Sequence, residues 1–374
     1  MITKICSAFA TIVIIVVMDY VTEKPFDAKN NGVDVRTLTN KEKRYKIVSL
    51  FSGCGGLDLG FRGGFSCFKD ENELDFEFNP YDIIWANDFY KPACDSYSLY
   101  FKHNIVYDDI TTIDKTSIPK GDIVIGGFPC QDFSISGKQG GLSTSRGSLY
   151  LQMLEVIKIQ KPIAFLAENV KNILSPMLVD ENGQRAIDRI VSDFESIGYT
   201  VKTNLVYAPD YGVPQRRWRV FIVGIRNDQN KTFVMPHAHH PFMTAKQAID
   251  DLWGKENDLS IPNHNQMSLA KFKPPSRSGN QGNYQVRADQ PSQTIRSEHH
   301  MNIQAHYRTY NEADPQNRDY WRRLTVRECA RFQTFPDDFF FCGSKSDAYK
   351  VVGNAVPPML GWYMARALHQ ALAS

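Results

Sequence analysis

The sequence contains one cysteine whose surroundings suit a chemically active thiol. Cys130 follows Phe128–Pro129 and precedes the polar, glycine-rich stretch QDFSISGKQGG. This context places the sulfur in a loop, whereas cysteines in apolar contexts are usually small buried side chains. A thiol with a pKa near ~8.5 needs positive potential to ionise at neutral pH. The candidates for that potential are the N–H groups of the loop, Lys138, Arg146 and the arginines of QRRWR at residues 215–219.

Three acidic side chains are placed to join this cysteine. Asp88 ends the strand-like run YDIIWAND, Glu168 follows PIAFLA, and Asp109 lies in a short loop. Ligands of doubly wound sheets bind at the carboxyl ends of the strands, and a carboxylate after the second strand usually holds ribose hydroxyls. Three acidic groups and Cys130 at one edge are more than turn chemistry alone predicts. We therefore predict a functional site at this edge.

A glycine-rich turn follows the first strand-like run of the core. KIVSLF (residues 46–51) has the apolar, β-branched character of a buried strand, and SGCGGLDLGF (52–61) follows at once. Glycines let the backbone approach a ligand, and a helix N-terminus offers free N–H groups. A tight strand-to-helix turn needs glycines without a ligand as well, and the spacing matches neither the dinucleotide pattern nor a phosphate loop. Both interpretations remain open on this motif alone.

Strand-like and helical runs alternate along the first part of the chain. The strand-like runs after KIVSLF are YDIIWAND, GDIVIGGFP, PIAFLAENV, TVKTNLVYA and WRVFIVGI. The helical stretches between them include Ser148–Gln160 and Ala186–Ile197. Alternation of this kind predicts an α/β fold built on a doubly wound, mainly parallel sheet.

Composition sets broad limits on the class of protein. The 374 residues, 42% hydrophobic and 22% charged, are typical of a globular chain with one large or two ordinary domains. The net charge of +2 neither requires nor excludes a nucleic-acid partner. Seven cysteines without a Cys-x-x-Cys pair favour reduced thiols and a cytoplasmic location over a disulfide framework or a zinc ribbon.

The N-terminus carries an apolar run, Ile5–Met18. It is shorter than the ~20 residues of a membrane span, so we expect no membrane association. No small-x-small cleavage site follows it, which argues against a secretion signal. The run is either an element packed on the domain or sequence upstream of a true start at Met18. The stretch Lys24–Lys46 is interpreted as a surface lead-in to the first folded element.

Residues 227–320 differ in composition from the part of the chain before them. They contain more Asn, Gln, Pro and His and show no alternation of strands and helices. Seven of the nine histidines lie here. A zinc site at His237, His239 and His240 would lack cysteine or carboxylate partners, so a polar surface is favoured and no metal is predicted. Positive charge concentrates in and just after this segment, which favours DNA contact. The arginines concerned are Arg277, Arg287, Arg296, Arg308, Arg318, Arg322 and Arg323.

Six motifs together resemble the DNA (cytosine-5)-methyltransferases of the bacterial restriction–modification type. In order they are FSGCGGLDLGF, FPCQDFSISGKQ, ENVKNIL, PQRRWRVFIVG, RLTVRECARFQTFPDDF and VVGNAVPP, and the resemblance runs from Tyr45 to the C-terminus. It implies that Cys130 is the nucleophile that adds to cytosine C6. It implies that Glu168 bonds N3 and the exocyclic amine of the base, and that Arg217 and Arg219 fix the base's carbonyl and support Glu168.

The resemblance also implies S-adenosyl-L-methionine as the cofactor. The residues that match the family's cofactor contacts are Phe51, Gly53, Gly55, Leu57, Asp88, Phe89, Asp109, Ile110, Pro129, Leu149, Asn354 and Val356. Asp88 stands where glutamate is common, one methylene shorter, and should keep the ribose-binding role. The run KDENELDFEFNP replaces a short turn of many relatives and is interpreted as an acidic surface insertion.

A Rossmann-like doubly wound methyltransferase sheet with a smaller target-recognition domain is the fold that the resemblance implies. The expected division is an N-terminal extension (1–44), a catalytic and cofactor-binding domain (45–226), the target-recognition domain (227–320) and a C-terminal segment returning to the catalytic domain (321–374). PSQTIRSEHHMN resembles the Thr-Ile/Leu core of such recognition domains. The expected DNA-binding residues are Ser134, Ser136, Arg146, Gln293, Thr294 and Arg296.

The expected partner is double-stranded DNA, with the chain acting as a monomer. A restriction endonuclease would act on the same site without forming a stable complex. Two alternatives predict other features. A transfer-RNA cytosine methyltransferase usually has Pro-Pro-Cys-Gln, a Cys-Phe-Thr signature and a small recognition region, whereas this chain has Phe128 before Pro129 and lacks Cys-Phe-Thr. A non-catalytic DNA-binding module would not need Cys130, Glu168 and Arg219 intact.

Overall fold

The computed structural model describes most of the chain. The described residues are 21–38, 42–129, 149–179, 182–256, 258–265, 284–297, 306–309 and 313–373. Four of the predicted site residues, Cys130, Ser134, Ser136 and Arg146, lie outside these ranges.

A sheet of eight strands forms the centre of the molecule, in the order β1-β9-β10-β8-β7-β2-β5-β6. Strand β10 runs antiparallel to β8 and β9, and the other pairs are parallel, so the mainly parallel sheet is confirmed. In chain order the strands are β1 (Val21–Pro25), β2 (Tyr45–Leu50), β3 (Phe65–Cys67), β4 (Leu74–Phe76), β5 (Tyr81–Asp88), β6 (Val106–Tyr107), β7 (Ile123–Gly126), β8 (Ala164–Val170), β9 (Tyr199–Tyr207), β10 (Trp218–Arg226), β11 (Tyr284–Gln285), β12 (His306–Thr309) and β13 (Trp321–Arg323).

Helices cover both faces of this sheet. They are α1 (Gly56–Arg62), α2 (Lys91–Phe101), α3 (Leu149–Gln160), α4 (Ala186–Ser196), α5 (Ala245–Ile249), α6 (Val326–Phe332), α7 (Lys345–Asn354) and α8 (Pro358–Ala373). Neighbouring strand residues point to opposite faces, so Ile47 joins a core with α1 and α8, while Val48 joins a second core with α3 and α4. This double layer confirms the doubly wound α/β fold predicted from the alternation.

The segment before the first core strand packs on the domain. Strand β1 adds to the sheet beside β9, and Val35 is completely buried. The guanidinium of Arg366 on α8 donates to the carbonyl oxygens of Val35 and Arg36 at 3.0 and 2.7 Å. The interpretation of Lys24–Lys46 as a surface lead-in was therefore wrong. The apolar run Ile5–Met18 lies outside the described residues, and within them no helix is long and apolar enough to cross a membrane.

The acidic insertion is only partly a surface feature. Strands β3 and β4 form a small hairpin in which Phe76 is buried, with its ring 5.2 Å from that of Trp362. The indole N–H of Trp362 donates to the carbonyl oxygen of Glu77 at 3.0 Å, and Arg366 donates to the Glu77 carboxylate at 2.8 Å. The second half of the insertion thus docks on α8 through Phe76 and Glu77.

Two histidines of residues 227–320, His264 and His306, are buried, whereas His237, His239 and His240, for which a polar surface was expected, are half-buried. His264 is completely buried and bonds the hydroxyl of Thr325 and the carbonyl of Leu252. The ring of His240 is half-buried and bonds the Tyr363 hydroxyl at 2.7 Å. Among the described residues, no group of His, Cys, Asp or Glu side chains is arranged to hold a metal ion.

The glycine-rich turn between β2 and α1 rests on a buried carboxyl group. Asp58, in the first turn of α1, is completely buried and accepts hydrogen bonds from the Ser49 hydroxyl at 3.0 Å and the Tyr97 hydroxyl at 3.1 Å. Ser52, inside the turn, donates to the Ser49 hydroxyl at 2.8 Å. Burial raises the pKa of Asp58 to about 7, although its two hydroxyl partners oppose this shift.

The raised pKa of Asp58 makes stability depend on pH. Because its folded pKa lies above the usual 3.8, its stabilising contribution is complete below that value and is lost as the pH rises through about 7. Asp58→Asn removes this dependence. Between about pH 5 and 8 the free energy of unfolding of the variant should therefore rise relative to the wild type by about 2–3 kcal/mol.

Urea unfolding at the two pH values measures this difference. Asp82→Asn is the control, since hydrogen bonding from Arg44 lowers the pKa of Asp82 and its titration ends below the window. A constant difference between Asp58→Asn and the wild type would contradict the titration assigned to Asp58.

Candidate active site

The glycine-rich turn and the end of β5 form one side of the candidate site. The backbone N–H of Gly53 donates to Oδ2 of Asp88 at 2.8 Å, and the N–H of Tyr90 donates to Oδ1 at 2.8 Å. Gly53 has a positive φ of 57°, and a Cβ there would meet no heavy atom within 4 Å. At Gly55 a Cβ would instead strike the ring of Phe101 at 2.4 Å. Gly55 thus permits packing, whereas Gly53 faces open space in which a ligand fits.

The electrostatics of Asp88 suit a group that hydrogen-bonds a neutral polar ligand. Burial raises the pKa of its carboxyl, and the N–H groups of Tyr90 and Gly53 oppose this shift. Phe89, the next residue, exposes 63% of its surface. Phe51, at the opposite side of the turn, adopts a positive φ of 52° and is half-buried. One aromatic residue thus directly follows Asp88 in sequence, and another directly precedes the turn that binds its carboxylate.

The loop after β6 is fixed by its own side chains. Oδ1 of Asp109 accepts hydrogen bonds from the backbone N–H and the hydroxyl of Thr111 at 2.9 and 2.8 Å. Ile110 is buried, and its carbonyl oxygen accepts from Nζ of Lys115 at 2.7 Å. The amide of Asn87, on β5, donates to the carbonyl of Asp108 at 2.9 Å and so attaches the loop to the sheet.

The C-terminal segment closes the turn from the other side. A Cβ on Gly56 would lie 2.2 Å from the carbonyl oxygen of Val356, so only glycine allows this approach. Val356 is buried, and Asn354, at the end of α7, is exposed. Leu57, also predicted to contact the cofactor, is buried between α1 and α8. The structure therefore places Val356 directly against the turn at Gly56.

The base of the Cys130 loop lies beside the acidic residue of β8. The side-chain amide of Asn169 donates to the carbonyl oxygen of Phe128 at 2.9 Å. A Cβ on Gly127 would lie 3.1 Å from Oε2 of Glu168. Pro129 is half-buried, and half-buried Leu149 begins α3 on the far side of the loop. Cys130 itself lies outside the described residues, and Gly127, three residues before it, lies next to Glu168.

Glu168 and Arg219 form a buried ion pair on adjacent antiparallel strands. Nε of Arg219 lies 2.5 Å from Oε1 of Glu168, and the two side chains are only 10% and 11% exposed. Nη1 of Arg219 donates to the carbonyl of Trp218 at 2.7 Å. Burial lowers the pKa of Arg219, and the charge of Glu168 opposes that shift. The carboxylate is held in one orientation, with a cation beside it.

Arg217 occupies a different environment from Arg219. It is completely buried, and its Nη atoms donate to the carbonyl oxygens of Ile295, Gly353 and Ala355 at 3.0, 3.1 and 2.9 Å. Burial lowers the pKa of Arg217 well below the usual value, and the positive charge of Arg219 adds to this effect. The donors that the resemblance directs to a base are therefore engaged with the protein backbone.

The segment with the Thr-Ile match is attached to the catalytic domain. The hydroxyl of Thr294 donates to the carbonyl of Arg216 at 2.5 Å, and Ile295 is completely buried. Gln293 is half-buried and Arg296 is exposed. Of the three residues expected to read DNA here, Thr294 uses its side chain to hold the segment, while Arg296 is exposed and its charge is close enough to lower the pKa of Arg217 and Arg219.

Some arginines expected to meet phosphates are buried instead. Arg322 is 3% exposed and binds the Glu328 carboxylate through two hydrogen bonds of 2.7 and 2.8 Å. Its guanidinium also lies 4.3 Å from the ring centre of Trp253. Arg323 is likewise buried, and Arg308 is half-buried with an ion pair to Asp250. The expectation that Arg322 and Arg323 contact DNA was therefore wrong, because internal carboxylates and aromatic rings surround them.

Sequence reasoning missed several residues that position the site. Asn169 was visible in the ENV motif, but its bond to the loop base depends on two strands lying side by side. Asp58 was visible in GGLDLGF, yet an acidic residue in the first turn of a helix usually signals only the helix dipole. The buried pair of Arg322 and Glu328 had a local signal, since TVRE matches the capping-box pattern at the start of α6.

Comparison with known proteins gives one consistent result. The model of the C-5 cytosine-specific DNA methylase family matches residues 45–370. The chain is 36% identical to the Type II methyltransferase M.NgoFVII of Neisseria gonorrhoeae, over 87% of this chain and 86% of that protein. It is 35% identical to the Type II methyltransferase M.FnuDI of Fusobacterium nucleatum, over 87% and 95% of the two chains.

Solved structures share the fold at lower identity. The Entamoeba histolytica methyltransferase EhMeth superposes with a TM-score of 0.62 at 17% identity, covering 88% of this chain and 98% of that one. Spodoptera frugiperda DNMT2 superposes with a TM-score of 0.60 at 17% identity, covering 88% and 100%. By the extent of the family match and the identity to its curated relatives, the chain belongs to the C-5 cytosine-specific DNA methylase family and is a DNA cytosine-5-methyltransferase.

Proposed function

We propose that this enzyme methylates carbon 5 of cytosine within a specific double-stranded DNA sequence, through a covalent bond between Cys130 and cytosine C6. One observation carries the proposal. The buried Glu168–Arg219 pair and the base of the Cys130 loop lie at the same sheet edge as the turn that holds Asp88. A base-binding carboxylate, a nucleophile and a nucleoside-type pocket would thus meet at one place.

The residues of the turn fit S-adenosyl-L-methionine, which supplies an electrophilic methyl group on sulfur when it is bound. Asp88 would accept hydrogen bonds from the ribose hydroxyls, and its carboxylate is already oriented by two backbone N–H groups. The open space at Gly53 would admit the ligand close to the backbone. Asp109 and Ile110 would hold the adenine, with Phe51 and Phe89 beside it.

The chemistry explains why a thiolate is needed. Cytosine C5 is too weak a nucleophile to accept a methyl group unaided. When the Cys130 sulfur adds to C6, electron density moves to C5 and toward N3, which divides one difficult step into easier ones. C5 then takes the methyl group as the methyl–sulfur bond breaks. A base removes the C5 proton, and the electrons of that bond expel the Cys130 thiolate from C6.

As negative charge develops at N3, one oxygen of the Glu168 carboxyl group would donate its proton in a hydrogen bond to N3, and the other would accept a hydrogen bond from the exocyclic amine. Arg219 supports this role because its guanidinium contacts Glu168 directly at 2.5 Å. The same arginine would bind the carbonyl oxygen of the base. Since the Nη atoms of Arg217 already donate to backbone carbonyl oxygens, we assign base binding to Arg219 alone.

The target base must leave the duplex to reach this site, at a cost of a few kcal/mol. Residues 131–147, rich in Ser and Gly, would close over the flipped base, bringing Ser134, Ser136 and Arg146 to the DNA. Residues 227–320 would read the sequence, and Gln293 and Arg296 are the candidates for base-edge contacts.

The relatives support a place in restriction–modification. The curated relatives reported above are named Type II methyltransferases, so we propose that the chain is the modification enzyme of such a system. A cognate endonuclease would act on the same DNA word without a stable complex, and the enzyme would act as a monomer. The described cysteines are present as thiols, which suits the reducing conditions of the cytoplasm.

Covalent catalysis is tested with DNA carrying 5-fluorocytosine at the target position. Fluorine replaces the proton that must leave C5, so the Cys130–C6 bond should persist after methyl transfer. We expect a denaturation-resistant protein–DNA adduct on gel electrophoresis with the wild type and no adduct with Cys130→Ser, because a hydroxyl is far harder to deprotonate than a thiol.

Cys342→Ser is the matched control, since Cys342 is a half-buried cysteine on a loop away from the site. It should form the adduct like the wild type. An adduct with Cys130→Ser, or its absence in an active wild type, would remove Cys130 from the mechanism.

The cofactor site is tested at Asp88. Asp88→Ala should weaken binding of S-adenosyl-L-methionine by about 1.5–3 kcal/mol, because the ribose hydroxyls lose a charged acceptor. Asp82→Ala changes the same strand at its opposite end, where Asp82 pairs with Arg44 on the surface, and should leave the affinity unchanged. Calorimetry measures both, and an equal affinity in the two variants would refute the ribose-binding role.

DNA reading is tested at Arg296. Loss of a contact to a base edge lowers the free energy of discrimination between base sequences by about 1–3 kcal/mol. Arg296→Ala should therefore change the DNA sequence that is methylated, or lower kcat/KM on the cognate sequence by the factor that corresponds to this free energy. Arg36→Ala, an exposed arginine paired with Asp34 in the N-terminal segment, is the control. Methylome sequencing of hosts expressing each variant reports the word. An unchanged word together with unchanged kcat/KM would exclude Arg296 from sequence reading.

A further inference from the structure

A single buried arginine joins three segments that the proposed function treats separately. Arg217 lies immediately before the catalytic strand β10. One side of its guanidinium donates to the carbonyl of Ile295, in the recognition region, at 3.0 Å. The other side donates to the carbonyls of Gly353 and Ala355, next to the residues that close the cofactor turn, at 3.1 and 2.9 Å.

Two buried glutamines extend this connection. The side-chain oxygen of Gln215 accepts from the N–H of Ile295 at 2.9 Å and from Arg217 at 3.3 Å. Its amide nitrogen donates to the side-chain oxygen of Gln333 at 2.9 Å. Gln333 in turn donates to the carbonyls of Val352 and Ala355 at 2.7 and 3.1 Å. The peptide of Ile295 and the end of α7 are thus held by one continuous network.

Direct packing makes the two segments move together. A Cβ on Gly353 would lie 2.3 Å from the carbonyl carbon of Arg296, so the two backbones touch. Three residues further along, the carbonyl of Val356 lies against Gly56 of the cofactor turn. The backbone at Arg296 thus touches the end of α7, and the residues that follow α7 touch the cofactor turn.

We propose that Arg217 is a positioning residue that couples DNA reading at residues 293–296 to closure of the cofactor pocket at residues 353–356. The proposal rests on the functions assigned above to these two segments. DNA bound at Arg296 would fix the Ile295 peptide, Arg217 would carry that restraint to Ala355, and the cofactor would then bind a turn that is already closed. By thermodynamic linkage, bound cofactor would tighten DNA binding by the same factor.

The geometry requires arginine at this position. The planar guanidinium reaches acceptors on two sides at once, whereas a lysine presents three donors from a single nitrogen. Arg217→Lys retains the positive charge but cannot bridge Ile295 and Ala355. We therefore expect this variant to bind each ligand separately and to lose the effect of one ligand on the other.

The experiment measures the coupling factor itself. The probes are S-adenosylhomocysteine and a duplex that carries the word identified by methylome sequencing, and the Kd of each is measured with and without saturating amounts of the other. Typical coupling factors are about 5 to 150, and we expect the wild type in that range. Arg217→Lys should reduce the coupling factor to about 1–2, where a factor of 1 means that neither ligand changes the Kd of the other.

Arg366→Lys is the matched control. Arg366 is also completely buried and also donates to four acceptors, on Asn79, Val35, Arg36 and Glu77, away from the site. It should lose thermal stability as Arg217→Lys does and keep the wild-type coupling factor. Equal loss of coupling in both variants would reduce the effect of Arg217 to general destabilisation and overturn the proposal.

A second variant keeps the test decisive if Arg217→Lys does not fold. Gln333→Ala removes the bonds to Val352 and Ala355 together with the bond from Gln215, and it should lower the coupling factor by at least half. Wild-type coupling in Gln333→Ala and in any folded Arg217→Lys would overturn the network. A wild type that binds both probes independently would overturn the coupling alone, whereas a wild type that binds neither would overturn the proposed function.

Discussion

The ion pair between Glu168 and Arg219 places the strictest physical demand on the fold. Two charges at this depth are costly unless each faces the other, and removing one would leave its partner unpaired. The antiparallel register of β8 and β10 meets this demand because it sets Glu168 and Arg219 on the same face, near the sheet edge. Gly127 then leaves the space in which the carboxylate sits. The base of the Cys130 loop is positioned by the same strands.

Much of this architecture was predictable because its signals are local. The strand-like runs and both named helices were placed to within a few residues, since apolar periodicity and β-branching act over short distances. The edge at which Asp88 and Glu168 meet followed from the topology of parallel sheets. The role of Val21–Pro25 was not predictable, because VTEKP is short and polar and pairs with a strand far along the chain.

The arginines show where sequence reasoning reached its limit. Arg296 and Arg322 carry the same charge and lie close together in sequence, yet one is exposed and the other is enclosed by Glu256, Glu328 and Trp253. A count of positive residues cannot separate them, since the difference depends on partners far away in the chain. Arg217 and Arg219 likewise share one motif, and only the three-dimensional arrangement assigns one to the backbone and the other to Glu168.

The first described strand has a consequence for biosynthesis. Val21 of β1 pairs with Thr203 of β9, so the segment leaves the ribosome long before its partner exists. During that interval β1 has no strand to pair with, because parallel pairing to a distant strand stabilises the sheet only after the chain between the two strands has closed. Once in place it covers the outer edge of β9, where open backbone N–H and C=O groups would otherwise pair with another chain. The earliest part of the described chain can thus join the sheet only after residue 203 has been made, and the edge that it forms is short, charged and ends in proline, which are features that discourage edge-to-edge pairing.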